Sequence, residues 1–147
     1  HVQSAIRMAD DLLNDKSYFF EEVLTIKDLI EHSDSEVSSL FLLDELFKGT
    51  NTLERISAGK AILSHLNATN NLVFIATHDL ELAEYLKDEY DLYHFSETVE
   101  NQEIHFDYLL KTGNLVNTNA LKILEINGFP KNIISEANKL VEQMKGK

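Results

Sequence analysis

The run LFLLDE at Leu40–Glu45 constrains this chain more than any other feature. Four consecutive apolar residues read as a short strand buried on both faces of a sheet, and two carboxylates then emerge at its C-terminal end. In open α/β sheets that end is where ligands bind. Two adjacent acids at the mouth of a buried strand are costly unless a cation balances them, and Mg²⁺ with nucleotide phosphates is the usual solution. Asp44 would then hold the metal, mostly through water, and Glu45 would orient and polarise an attacking water. A strand ending in solvated acids is the plainer reading of the same residues.

Two neighbouring features sharpen the first reading. GTNT at Gly49–Thr52 follows the acids directly. Glycine lets the backbone turn tightly, and small hydroxyl and amide side chains can approach a phosphate or another chain. The same four residues also suit an ordinary turn with a Thr or Asn helix cap. ATHD at Ala76–Asp79 ends a second apolar run, NLVFIAT. Consecutive parallel strands are usually neighbours, so His78 is expected to emerge beside Asp44 and Glu45. A neutral His there can donate to a γ-phosphate and report its presence.

The surrounding pattern is α/β. The first dozen residues show no clear period. From Ser17, Phe20, Val23, Leu24, Ile26 and Ile30 mark a helix, with Glu21 and Glu22 in its first turn, where the helix dipole favours them. HSDSEVSS is a polar break before the strand at residues 40–44. A helix is expected over about Thr52–Asn67, a buried strand over Leu72–Thr77, and a helix capped by Asp79 with Leu80, Leu82, Ala83 and Leu86 inward. Strand, helix, strand, helix implies parallel strands joined by a right-handed crossover. LYHFSETVENQEIHFDYLL then reads as an antiparallel hairpin turning at Glu100–Gln102. Two helices close the chain, about Thr118–Asn127 and Lys131–Met144, divided by Gly128 and Pro130.

Composition narrows the partners. The chain of 147 residues has 13 Lys and Arg against 25 Asp and Glu, a formal net charge of −12. Such a surface repels phosphate backbones, so if a parent protein touches DNA, this segment is not expected to be the part that does so. Hydrophobic residues make up 44%, enough for a real core. There is no Cys, hence no disulfide or thiolate metal site. No apolar run approaches the ~20 residues that cross a bilayer, and no leader sequence is visible, so a cytoplasmic protein without membrane contact is the expectation. The start at His1, without an initiator Met, reads as a piece cut from a longer protein, with processing as the alternative.

Taken together these segments resemble the ATPase domain of the MutS family. SLFLLDELFKGTNTLERISAGKAIL is similar to its extended Walker B and D-loop region, and VFIATHDLELA to its switch-histidine segment. IRMADDLLNDKSYFFEE resembles its signature segment, and GFPKNIISEANKL its C-terminal helices. The resemblance covers essentially the whole chain in order: signature segment 4–32, Walker B and D-loop 39–52, switch His 72–79, hairpin 92–110, C-terminal helices 118–145. It implies a three-layer, partial P-loop NTPase sheet of ABC/MutS type, with parallel core strands, an antiparallel hairpin and C-terminal helices.

By the same resemblance, Asp44 matches the Mg²⁺-associated acid, Glu45 the catalytic base and His78 the γ-phosphate-sensing histidine. Ser17 matches the signature Ser that contacts the nucleotide of the opposite subunit in a homodimer. Gly49, Thr50, Asn51 and Thr52 match the loop along the dimer interface. ATP and Mg²⁺ are the implied cofactors, and ATP turnover controlling DNA binding, in mismatch repair or a related process, the implied role. Asp15 and Lys16 depart from the family's common Gly and Arg, and Asn51 from a common Ser. The hairpin looks closer to divergent bacterial paralogues.

No G-x-x-x-x-G-K-[ST] occurs in the chain, so the Walker A half, whose backbone N–H groups and Lys cradle phosphates, is absent. Tight nucleotide binding is therefore expected only in the full-length parent, and the fragment alone is expected to be inactive. Two alternatives remain: another ABC-type ATPase, although no LSGGQ-like signature precedes the acids, and an interaction module that has lost catalysis. His32, His65, His94 and His105 lack metal-ligand spacing. Tyr18, Phe19 and Phe20 read as a helix-packing cluster, with a base-stacking platform as the alternative. Ser57 and Ser64 have no His-acid partner for a hydrolase triad.

Overall fold

A computed structural model describes residues 1–6, 18–101, 103–115 and 119–145. The chain forms two compact units, His1–Leu92 and Tyr93–Lys147.

In the first unit, strands β1 (Val2–Ala5), β2 (Leu40–Asp44) and β3 (Leu72–Ala76) form a parallel sheet in the order β1-β2-β3. The register pairs Leu40 with Leu72 and Asp44 with Ala76, so the ends of β2 and β3 are level. Asn71 helps set that register. Its Oδ1 accepts from Ser39 N at 2.7 Å, and its Nδ2 donates to Ser33 O at 2.9 Å and Thr69 Oγ1 at 2.6 Å.

Helices α1 (Tyr18–Ser33), α2 (Thr52–Asn67) and α3 (Leu80–Leu86) pack together over Phe41 and Leu43. Ile26 and Leu29 come from α1, Ile56, Leu63 and Leu66 from α2, Leu82 and Leu86 from α3. Each such burial stabilises by roughly 1.5–3 kcal/mol. Gly59 lets α3 approach α2 closely, since a Cβ there would sit 3.3 Å from Leu82 Cδ2.

Four expectations need correction. The opening residues contain β1, an edge strand whose mixed Val2-Gln3-Ser4-Ala5 pattern gives no period and is recognised only through pairing with β2. The strands are not buried on both faces: Phe41 and Leu43 are covered, whereas Val2 (70% exposed), Leu72 and Phe74 (58%) lie on an open face. Among the described residues this unit is thus two-layered, not three-layered, because the helical core gathers on one side of the sheet. Leu80 is exposed rather than inward, since α3 turns only Leu82 and Leu86 fully into the core.

The second unit holds two antiparallel pairs, β4 (Tyr93–His94) with β7 (Lys111–Thr112) and β5 (Glu97–Glu100) with β6 (Glu103–Phe106). The tight turn between β5 and β6 includes Asn101 at φ 52°, a left-handed conformation that Asn tolerates. Helix α4 (Ala120–Ile126) packs with the last helix, and its cap residue Asn119 donates through Nδ2 to Glu97 O of β5 at 3.2 Å. Gly128, at φ 78°, ends α4 as Phe129 N donates to Leu124 O at 3.2 Å. Pro130 then precedes α5 (Lys131–Lys145), consistent with the sequence punctuation. The mixed α/β character, the parallel strands, the antiparallel hairpin and the C-terminal helices agree with the sequence reading.

Candidate functional site

The carboxyl ends of β2 and β3 bring the predicted residues together. Asp44 is the last residue of β2, opposite Ala76. Glu45 continues the ladder by one bond, its N–H donating to Ala76 O at 2.8 Å, and then turns to φ 52°. That turn directs the side chain toward the β3 end. His78 Nε2 lies 3.8 Å from Glu45 Oε1. The imidazole is 95% exposed while the Glu45 side chain is 18% exposed, so a shielded acid faces an open His. Asp44 shares a shallow apolar hollow with Ile6, Leu42, Leu43, Phe74, Ile75 and Ala76.

Lys48 was not singled out by the sequence, yet its ammonium pairs with Glu45 Oε2. Its spacing three residues after an acid was the available signal. The loop between β2 and α2 is unusual, because both Glu45 and Phe47 (φ 57°) adopt left-handed backbone. For non-glycine residues this costs about 1–3 kcal/mol each and persists only where surrounding contacts enforce it.

The residues at 49–52 serve the start of α2. Asn51 is the helix cap, its Oδ1 accepting from Glu54 N at 3.0 Å. Thr50 Oγ1 donates to Glu54 Oε2 at 2.9 Å. Thr52 begins the helix and is exposed. Gly49 lies under Phe19, where an added Cβ would come within 3.3 Å of Phe19 Cβ. Ser17 lies outside the described residues.

Asp79 departs from its expected part. It occupies the cap position of α3 without making a side-chain cap bond. Its carboxylate instead receives two hydrogen bonds from Arg55 of α2. The hydrogen bonds to Asp79, and then the charge of that partner, raise the Arg55 guanidinium further above its already high range. Asp79 N donates to Thr77 Oγ1 at 3.0 Å, closing a small turn around His78.

Chemically, the strand ends present two carboxylates, an imidazole and a flanking cation within one small region. Among the described residues no three His, Cys, Asp or Glu side chains cluster as a metal-binding set. Mg²⁺ does not need such a set, because one or two carboxylates with phosphate oxygens and water complete its octahedron. Asp44, at the end of β2, is a carboxylate of the kind such an octahedron uses, whereas both oxygens of Glu45 face Lys48 and His78.

The described elements define a mixed α/β protein whose polar cluster sits at the carboxyl ends of parallel strands. The model of the family MutS domain V matches residues 1–145, and the chain belongs to that family. It is 28% identical over 148 residues to the DNA mismatch repair protein MutS of Aquifex pyrophilus, covering 99% of this chain. It is 29% identical over 146 residues to the MutS protein of Listeria monocytogenes serotype 4a, covering 97% of the chain, and 26% identical over 148 residues to that of Bacillus mycoides, covering 99%. The chain spans 17% of the length of the first two of these relatives and 16% of the third.

Proposed function

We propose that this chain is the C-terminal part of a P-loop ATPase domain of MutS type, in a protein that acts as a homodimer and uses ATP hydrolysis to control DNA binding in mismatch repair or a related process. The observation that carries the reading is the meeting of Glu45 and His78, 3.8 Å apart, at the level ends of β2 and β3. Membership of MutS domain V and the names of the relatives support it.

In this reading Glu45 accepts a proton from the attacking water and fixes its direction, since its own carboxylate is held from two sides by Lys48 and His78. His78 is exposed enough to swing onto a γ-phosphate and donate from its ring. Asp44 is the residue that would hold Mg²⁺, largely through water. When bound, the ion would neutralise charge on the phosphate oxygens. Ser17 would contact the nucleotide of the partner subunit, and Gly49, Thr50, Asn51 and Thr52 would lie along the subunit boundary. DNA would be held elsewhere in the parent protein, because a net charge of −12 opposes a phosphate backbone here. Tight ATP binding would require a phosphate-cradling loop that this sequence does not contain. The parent is proposed to be cytoplasmic. No helix among the described residues is long and apolar enough to cross a membrane.

The test is Glu45→Gln in the full-length protein. ATP binding is expected to persist while steady-state hydrolysis drops by on the order of 10²-fold or more. Hydrolysis at the wild-type rate would remove Glu45 from the role.

A further inference from the structure

Between β2 and α2 the backbone makes an excursion that most sequences avoid, with left-handed φ at Glu45 and again at Phe47. Neither residue is glycine, so the conformation costs free energy and persists only where surrounding contacts hold it. Two such contacts come from the N-terminal part of α1. Glu22 Oε1 accepts the hydrogen bond of Phe47 N. Phe19 packs its ring against Phe47, with centroids 6.0 Å apart and planes tilted by 57°. The Phe19 side chain also covers Gly49 at the distance where a Cβ would already be tight. Phe47 itself is buried, which anchors the strained segment to the core.

Glu22 is poorly served by this arrangement. Its Oε2 is buried with no hydrogen-bond partner among the described residues. Burial pushes its carboxyl above the usual range, and the Phe47 N–H offsets this only in part. A residue kept merely for solubility would turn outward, and one kept merely for stability would satisfy both oxygens. What the placement does secure is the Phe47 amide, two residues beyond the proposed base.

We propose that Glu22 is a positioning residue for Glu45: by holding the Phe47 N–H it fixes the left-handed turn that aims the Glu45 carboxylate at His78. The inference rests on the role proposed for Glu45. It makes the start of α1 part of the hydrolytic apparatus without placing Glu22 in contact with substrate.

The test uses the full-length protein, with kcat and KM for ATP measured for E22Q, E22D and E22A beside E45Q. Gln keeps an oxygen at the acceptor position, so E22Q is expected to retain kcat within about twofold. E22A removes the acceptor and E22D withdraws it by one methylene. Both are expected to lose kcat by about tenfold or more with KM little changed, because misplacement of a base acts on the chemical step. Amide exchange at Phe47 should accelerate in E22A and E22D and stay slow in E22Q. If E22A does not fold, the E22D and E22Q pair decides. Full kcat in E22D or E22A, or equal losses in E22Q and E22D, would overturn the inference. An inactive E45Q beside a fully active E22A or E22D would remove only the positioning role. An active E45Q would remove the base itself and the inference with it.

Discussion

Arg55 grips Asp79 in a two-pronged ion pair, Nε donating to Oδ2 at 2.7 Å and Nη2 to Oδ1 at 2.8 Å. The pair ties the first turn of α2 to the segment that carries His78, and both side chains are largely shielded, at 21% and 22% exposure. Paired, partly desolvated geometry of this kind is worth more than a surface ion pair. Arg55→Ala and Asp79→Asn are each expected to destabilise the chain by about 1–2 kcal/mol. In a double-mutant cycle by urea unfolding, the two losses should fall well short of additivity, with a coupling of about 1 kcal/mol. Simple additivity would show that the pair contributes nothing.

The sheet's two faces should respond differently to substitution. Phe41 is fully buried, so Phe41→Ala should cost about 3–5 kcal/mol. Phe74 lies on the open face of the neighbouring strand at 58% exposure, and Phe74→Ser in the same chain should stay within about 1 kcal/mol. Equal losses in thermal melts would mean that the open face is covered in solution.

Tyr90 provides an alkaline signature. Burial pushes its phenol up to about 12 from a normal value of 10.0, and its hydroxyl donates to Leu63 O at 2.7 Å. A raised folded-state value means the contribution is complete below the unfolded value. It is lost as pH climbs through the folded one, between about 10 and 12. Tyr90→Phe should cost about 1 kcal/mol at pH 8 and show less additional loss over that alkaline window. The check is denaturant midpoint against pH for both proteins.

Glu22 should act in the acid range with the same sign. Its raised value means the favourable contribution holds below the ordinary 4.5 and fades as pH rises through the folded value. Glu22→Gln removes the titration but keeps the acceptor. It is therefore expected to be at least as stable as the wild type at pH 7, with the difference shrinking toward pH 4. A variant less stable at pH 7 than at pH 4, relative to the wild type, would contradict the assigned burial cost.

Nucleotide binding offers a final check. The 147-residue chain is expected to show no appreciable ATP affinity by calorimetry, because its sequence holds no phosphate-cradling loop. Micromolar binding would require a phosphate site that these residues do not reveal.

Leu40–Asp44 and Leu72–Ala76 were legible as strands because unbroken apolar runs of that length have few other places to go. Helix α2 and the Gly128–Pro130 break were legible for similar local reasons, a cap and a missing N–H, while the turn at residues 100–102 was legible from the strand pattern on either side. The neighbouring of Asp44, Glu45 and His78 followed from the rule that consecutive parallel strands adjoin. Asp79 shows the boundary of such reasoning, because the sequence offered a helix cap and the fold supplied Arg55 instead.

What the sequence by itself determined was therefore local: element type, element order and the residues exposed at the strand ends, since propensity and periodicity act between near neighbours in the chain. Only the tertiary structure decided that Val2–Ala5 joins the sheet, that one face of that sheet stays open, and that Arg55 and Glu22 hold the site. Edge pairing, burial and charge partnership depend on residues tens of positions away, and their energies exist only once the chain has brought those residues within a few ångströms.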